Sequence, residues 1–329
     1  MKSIQLTGIG NGIVDLLVSV DDSFLAEHDI AKGSMELVSN EEQARLLSLI
    51  DNNAAKLSCG GSVCNSIVTF AALGGKAGML TSIGSDDLTN HYLDELGRYD
   101  IKYSDLAINP DSSIGTSLVM ITPDGERSMR TCLAASGKLS AEHIDHEMIK
   151  DSEWLFLEGY LLAAPDALAA LPAAIETAKA SRTKVALTLS AESIVRGFKA
   201  NFLNLLGSVD LLFANQSEAQ AITDIDSAKD AAEHLAKTVP HVVVTASSDG
   251  AHIINAGEYT EVSALKCTPV DVTGAGDTYA AGILYGALNE LSDDISGNLA
   301  TKLSTKVITQ VGARIKDLEA IGPDSELLS

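Results

Sequence analysis

The spacing of apolar and polar residues changes character several times along the chain, and those changes predict its elements. Residues 4–10 form a short apolar run closing on Gly10, the pattern of a buried strand. Residues 14–20 mix strand formers with one acidic side chain, Asp15. Ser39-Asn40-Glu41-Glu42 reads as a capping box, and the apolar spacing after it predicts a helix to about residue 50. A helix follows over 62–73, a strand over 77–83 and a helix over 87–99. Two β-rich runs, 116–122 and 126–131, flank Pro123-Asp124-Gly125, whose turn chemistry predicts a hairpin. Beyond it, apolar strands at 154–157, 184–189, 211–214 and 241–245 alternate with helices over 167–180, 217–223, 227–237, 275–291 and 298–312. Apolar strands alternating with helices imply an α/β fold, its mainly parallel sheet covered by helices on both faces. The runs around Val14 and Ile114 stand apart as an added β element. Without repeats, low-complexity tracts or an interdomain linker, residues 1–329 read as a single domain.

Composition narrows the function classes. Of 329 residues, 46% are hydrophobic but only 4% aromatic, so the core must be aliphatic and Ala-rich. A formal charge of −22 argues against nucleic acid or an anionic membrane as partner. It does not exclude a phosphate-bearing substrate, because backbone N–H groups and Mg²⁺ can hold phosphates locally. Cys59, Cys64, Cys132 and Cys267 form no C-x-x-C pair, which suits reduced thiols in the cytosol. Residues 1–10 lack the apolar core of a signal peptide, and no stretch reaches the ~18 apolar residues of a membrane helix. The expectation is a soluble, cytoplasmic protein.

Four motifs could carry chemistry. In Asp271-Val-Thr-Gly274-Ala275-Gly276-Asp277-Thr, two glycines open a run of small helical residues. Backbone N–H groups and the helix dipole at such a start attract an anion. Asp277 is then either a carboxylate stabilising the helix start or a base that takes a proton from an attacking hydroxyl, with Gly274, Ala275 and Gly276 facing the transferring phosphoryl group. Cys59-Gly60-Gly61-Ser62-Val-Cys-Asn65 is a Gly-Gly turn entering a helix; it is either a plain loop or a site of close ligand approach with the Asn65 amide at hand. Gly10-Asn11-Gly-Ile-Val-Asp15 follows the first strand, where open α/β sheets bind ligands, yet Asn11 and Asp15 could equally be a turn amide and a solvated acid. Asn215-Gln-Ser-Glu218 after the 211–214 strand reads as a helix cap, or as groups that hold Mg²⁺ through water. There is no P-loop G-x-x-x-x-G-K-[ST], no H-E-x-x-H and no G-x-S-x-G. His143 and His146 have metal-like spacing but lie in a polar stretch read as exposed, and the Ala-rich 161–180 segment reads as helix packing.

The order of these motifs resembles the ribokinase-like (PfkB) carbohydrate kinase family over essentially the whole chain. The resemblance implies a Rossmann-like ribokinase fold with a small β lid, formed by about 14–38 and 106–132, that excludes water on closing. It further implies ATP and Mg²⁺, Asp277 as catalytic base, Gly274–Gly276 as anion hole, and Asn215 and Glu218 placing Mg²⁺ and phosphates. Asp15, Gly60, Gly61 and Asn65 would hold sugar hydroxyls, and Thr245 and Gly250 would lie near ATP. The family's usual Thr-x-Gly is here Thr245-Ala246-Ser247. Asp271 and Thr273, with the 305–312 segment, sit where many members bind a monovalent cation such as K⁺. Gly10–Asp15, Gly125-Glu-Arg127-Ser-Met and Leu157-Glu-Gly-Tyr160-Leu look most like the adenosine kinase branch. There, Asn11 would touch the nucleoside and Arg127 would reach the phosphates or substrate. The implied reaction is phosphorylation of the ribose 5′-hydroxyl of adenosine. The alternatives are a kinase of free ribose, fructose or a ketosugar acid, and a non-catalytic nucleotide-binding protein. Both a monomer and a homodimer fit the chain.

Overall fold

The computed structural model describes residues 2–50 and 55–316. Fourteen strands are present among them. In chain order they are β1 (Ile4–Ile9), β2 (Ile13–Ser19), β3 (Met35–Leu37), β4 (Lys56–Gly60), β5 (Ala77–Leu80), β6 (Lys102–Tyr103) and β7 (Gly115–Ile121). They continue with β8 (Arg127–Cys132), β9 (Ser152–Glu158), β10 (Lys184–Thr188), β11 (Leu211–Asn215), β12 (His241–Thr245), β13 (Ala251–Asn255) and β14 (Glu258–Val262). Nine form one sheet in the order β14-β13-β12-β11-β10-β9-β1-β5-β6; the other five form a second sheet, β3-β8-β7-β2-β4.

The large sheet is parallel from β12 to β6, and β13 and β14 extend it antiparallel at one edge. Its strands are apolar on both faces because helices cover both. One face packs Leu6, Phe156, Phe213 and Val243 against helices Ser62–Ala72, Ala275–Leu288 and Asp293–Ile308. The other packs Leu155, Leu187, Leu212 and Val244 against helices that include Pro165–Ala180, where Ala167, Ala170, Ala174 and Ala178 are fully buried. The Ala-rich segment is packing, as its composition implies. The fold is the expected α/β architecture.

The second sheet alternates, as a sheet with two different faces must. Leu16, Val18, Leu118 and Met120 point away from the large sheet into a cluster with Leu25, Ile30 and Leu46. The opposite face carries Ile13 and Asp15 on β2, Ser117 on β7, Met129 and Thr131 on β8, and Met35 and Leu37 on β3. The β7–β8 hairpin turns at Pro123-Asp124-Gly125, as its residues predict, with Gly125 at φ +85°. The sheet differs from the expected lid boundaries in two ways. Strand β4, at 56–60, belongs to it, whereas Ile108 bridges to Ile83 beside the large sheet.

Three other expectations change. The β13–β14 hairpin, turning on Ala256 and Gly257 at positive φ, went unread because its strands are short and half polar. The last helix starts earlier and ends at Ile308, not near residue 312, so the chain is free to turn back toward the cleft. His143 is buried, accepting from the Ser140 backbone N–H and lying 3.1 Å from the Asn109 amide nitrogen. Among the described residues no three metal-ligating side chains converge, and no helix is long and apolar enough to cross a membrane.

Candidate active site

A cleft of about 610 Å³ opens between the second sheet and the C-terminal ends of the large sheet's parallel strands. It is lined by Asn11, Asp15, Gly61, Asn65, Asn215, Glu218, Thr245 and all of Gly274–Asp277. Residues separated by more than two hundred positions thus meet at the sheet edge where α/β folds bind ligands.

Asp277 stands in the first turn of the Ala275–Leu288 helix, whose N-cap is Gly274 in the left-handed conformation at φ +77°. A side chain on Gly274 is impossible, since the Ala313 carbonyl oxygen lies 2.0 Å from where its Cβ would be. Gly276, by contrast, has open space around its Cβ position, so a ligand can approach the backbone there. The Asp277 carboxylate accepts from Ser62 Oγ at 2.6 Å and from Asn65 Nδ2 at 2.8 Å. Burial pushes its pKa up, while those two hydrogen bonds and the charge of Arg314 pull it back.

The Gly-Gly turn serves two neighbours. Gly61, at φ +94°, lies against the Asn11 carbonyl, and Gly60 lies under the Asp15 carboxylate, so neither position has room for a Cβ without displacement. Burial raises Asp15 to about 6, with Arg314 and Arg127 lowering it and Asp271 and Asp277 raising it further. Asn11 faces Glu158, at the end of β9. Glu158 Oε1 accepts from the Asn11 backbone N–H (2.9 Å) and from its side-chain Nδ2 (2.8 Å), and Oε2 accepts from the Val63 N–H (3.1 Å). Burial lifts Glu158 to about 7 despite these donors.

Asn215 and Glu218 form a reciprocal capping box: Asn215 Oδ1 accepts from the Glu218 N–H, while Glu218 Oε1 and Oε2 accept from Asn215 Nδ2 and N. The cap reading is met, and both residues also line the cleft. Burial lifts Glu218 to about 7.

Four expected site residues, Gly60, Gly250, Arg127 and Asp271, do not line the cleft. Gly250 does not line the cleft; it turns the chain from β12 into β13 at φ +91°, with the Val262 carbonyl 2.0 Å from its Cβ position. Arg127 does not reach the cleft either. Its guanidinium forms a buried ion pair with Asp271 Oδ2. That oxygen also accepts from the Gly312 N–H at 2.6 Å, and Asp271 Oδ1 accepts from the Thr273 N–H at 3.0 Å. Asp271, expected near a monovalent cation, thus pairs here with an arginine from β8. Ser247, where the family's glycine is absent, has φ +52°, which explains why glycine suits that position.

Sequence reasoning missed Glu158 and Arg314. Glu158 sits within the noted Leu157–Leu161 stretch, and the signal was a charged residue ending an apolar strand. Arg314 carried no local signal.

A model of the "pfkB family carbohydrate kinase" matches residues 29–321. The chain belongs to the PfkB carbohydrate kinase family. This kinase is 32% identical to the adenosine kinase of Sinorhizobium meliloti, whose structure superposes with a TM-score of 0.88 over 96% of this chain and 97% of that one. A probable sugar kinase from Rhizobium etli superposes with a TM-score of 0.90 at 31% identity, over 97% of each chain. The adenosine kinase of Saccharomyces cerevisiae is 24% identical over 310 residues, covering 85% of this chain and 88% of that protein. The adenosine kinase branch is thus where the kinase belongs, and it is an ATP-dependent sugar or nucleoside kinase. Its residues fit ATP and Mg²⁺: a glycine-opened helix start stands beside strand ends bearing Asn215 and Thr245 and the helix bearing Glu218, whose carboxyl, raised by burial, gains from a nearby cation.

Proposed function

We propose that this kinase transfers the γ-phosphoryl group of ATP to the 5′-hydroxyl of adenosine or a related nucleoside, with Asp277 as general base. The observation that carries the reading is the position of the Asp277 carboxylate. Ser62 and Asn65 hold it at a helix start, in one cleft with Asn11 and Asp15 on one side and Asn215, Glu218 and Thr245 on the other. A hydroxyl beside Asp277 passes its proton to the carboxylate as its oxygen bonds to phosphorus, and the bond from phosphorus to the bridging oxygen of ADP breaks. Backbone N–H groups at Gly274–Gly276 meet the charge on the phosphoryl oxygens. Asn215 and Glu218 would hold Mg²⁺ through water, where it supplies positive charge to the phosphates. The second sheet is the lid, and its closure keeps water from the phosphoryl group. No monovalent cation is needed, because Arg127 provides the charge at Asp271.

The preference for a nucleoside over a free sugar rests on the lid's inner face. Ile13, Met35, Leu37, Met129 and Leu133 form an apolar wall of the cleft, with Met35 41% and Leu37 57% exposed. A free sugar bears a hydroxyl on nearly every carbon and leaves that wall unmatched, whereas a purine ring covers it.

The test is ATP consumption by the purified protein with adenosine, ribose, fructose or no acceptor. Turnover with adenosine is expected. Turnover with ribose or fructose but not adenosine would refute the nucleoside assignment, and no turnover with any acceptor would refute catalysis. Asp277→Asn is expected to bind ATP normally while kcat drops by about 10²-fold or more; near-normal turnover removes Asp277 from the base role.

A further inference from the structure

Arg314 lies outside every motif, six residues beyond the last helix, yet its guanidinium is buried behind the cleft floor. It uses all three nitrogens. Nε donates to Asn65 Oδ1 at 2.9 Å, Nη1 lies 2.7 Å from Glu95 Oε1, and Nη2 lies 3.3 Å from Cys64 Sγ. Asn65 lines the cleft, whereas Arg314 does not.

An asparagine amide has two chemically opposite ends. With Arg314 donating to Oδ1, Asn65 Nδ2 is turned the other way, toward Asp277 Oδ2. Flipping the amide would set NH₂ against a guanidinium and a carbonyl oxygen against a carboxylate, two repulsive contacts in place of two hydrogen bonds. The neighbouring residues bind the same region: the Gly312 N–H donates to Asp271, and the Ala313 carbonyl packs on Gly274. The 312–314 segment therefore touches both the start of the Asp277 helix and the amide that holds the Asp277 carboxylate.

We infer that Arg314 is a positioning residue for phosphoryl transfer, acting through Asn65 to keep the Asp277 carboxylate aimed into the cleft. The inference rests on Asp277 being the base. The other titratable groups around Asp277 are Asp15 from β2, Glu158 from β9, Tyr160 just after it, and Glu218 from the helix following β11. Of these and Arg314, only Arg314 is cationic. Removing it leaves a carboxylate facing acids and a phenol alone.

The test compares full-length Arg314→Gln and Arg314→Lys with wild type in steady-state kinetics with ATP and adenosine across pH, after checking the fold by circular dichroism. Arg314→Gln is expected to lower kcat by about 10–100-fold with KM for ATP little changed, and to move the acid limb of kcat to higher pH. Arg314→Lys keeps the charge but not the fork, so its acid limb returns toward wild type while kcat stays about 10-fold low. Introduced into Asp277→Asn, Arg314→Gln is expected to cause no further loss. Wild-type kcat and pH profile in a folded Arg314→Gln would overturn the inference, as would an equal loss in both backgrounds, the signature of a merely structural arginine. Should Arg314→Gln not fold, Arg314→Lys decides alone, and wild-type kcat there overturns the proposal. Near-normal activity of Asp277→Asn would instead refute the base assignment.

Discussion

Two buried arginine–carboxylate pairs flank the Gly274–Asp277 helix start, and they differ in what they join. Arg314–Glu95 lies within the body of the large sheet, tying the segment after the last helix to the Asp87–Arg98 helix and, through Asn65, to the Ser62–Ala72 helix. Arg127–Asp271 crosses between bodies, tying β8 of the second sheet to the loop before Asp277. The first pair sets the geometry of one carboxylate; the second sets where the second sheet sits over it. Glu158 completes the comparison, because no arginine hydrogen-bonds it. Burial works to raise Glu95, but Arg314 prevails and holds it below the ordinary carboxylate value. Glu158, held by N–H donors alone, is pushed up to about 7. For Glu95 the paired arginine outweighs burial; for Glu158, without one, burial prevails.

The comparison breaks most sharply at Arg314. Arg314→Ala leaves Glu95 without its cation, and a loss of about 3–5 kcal/mol in stability is expected by urea denaturation. Glu158 comes next. Its folded pKa, about 7, exceeds the ordinary 4.5, so the folded state binds its proton more tightly than the unfolded chain. Its contribution to stability is fully present below pH 4.5 and is lost as pH rises toward 7. Glu158→Gln should flatten this slope, on the order of 3 kcal/mol across the window; parallel stability–pH curves for variant and wild type would exclude the effect.

Arg127→Ala is expected to cost less, about 2 kcal/mol, because Asp271 keeps its Thr273 and Gly312 N–H donors. Its kinetic mark should differ from that of Arg314→Lys. KM for the acceptor rises as the second sheet loses its tie, and activity becomes sensitive to K⁺, whereas wild type runs equally in K⁺ and Na⁺. A wild-type enzyme that requires K⁺ would contradict the assignment of Arg127 as the cation at Asp271. The smallest effect belongs to Ser247→Gly. Relief of the left-handed backbone, offset by the entropy of an added glycine, should stabilise by about 0.5 kcal/mol, seen as a slightly higher Tm.

Much of this was legible in one dimension. Apolar runs alternating with helical periods specify a two-sided parallel sheet, since strands apolar on both faces need cover on both. Ser39, Pro123-Asp124-Gly125 and Asn215–Glu218 act on neighbours within a few residues; the turn and the Asn215–Glu218 capping box form as expected, whereas Ser39 caps its helix alone because the Glu42 carboxylate pairs with Arg45. Gly274 to Asp277 likewise announces a helix start open to an anion. The Asp277 partners are different. Ser62, Asn65 and Arg314 lie 215, 212 and 37 residues away or act through a contact spanning 249, and Glu158 meets Asn11 across 147. Such hydrogen bonds depend on strand order and on how far a helix runs, which local patterns do not encode. A helix is expected to residue 312; it ends at Ile308, and beyond it the Gly312 N–H donates to Asp271 and Arg314 to Asn65. Arg127 shows the same limit from the other side. Its place on a hairpin over the cleft was readable, but a buried Asp271 claims its charge. The sequence by itself determined the layers, the second sheet and the helix start that faces phosphate. Only the tertiary structure decided which arginine meets which acid, because a buried charge takes whatever partner the packing brings within reach.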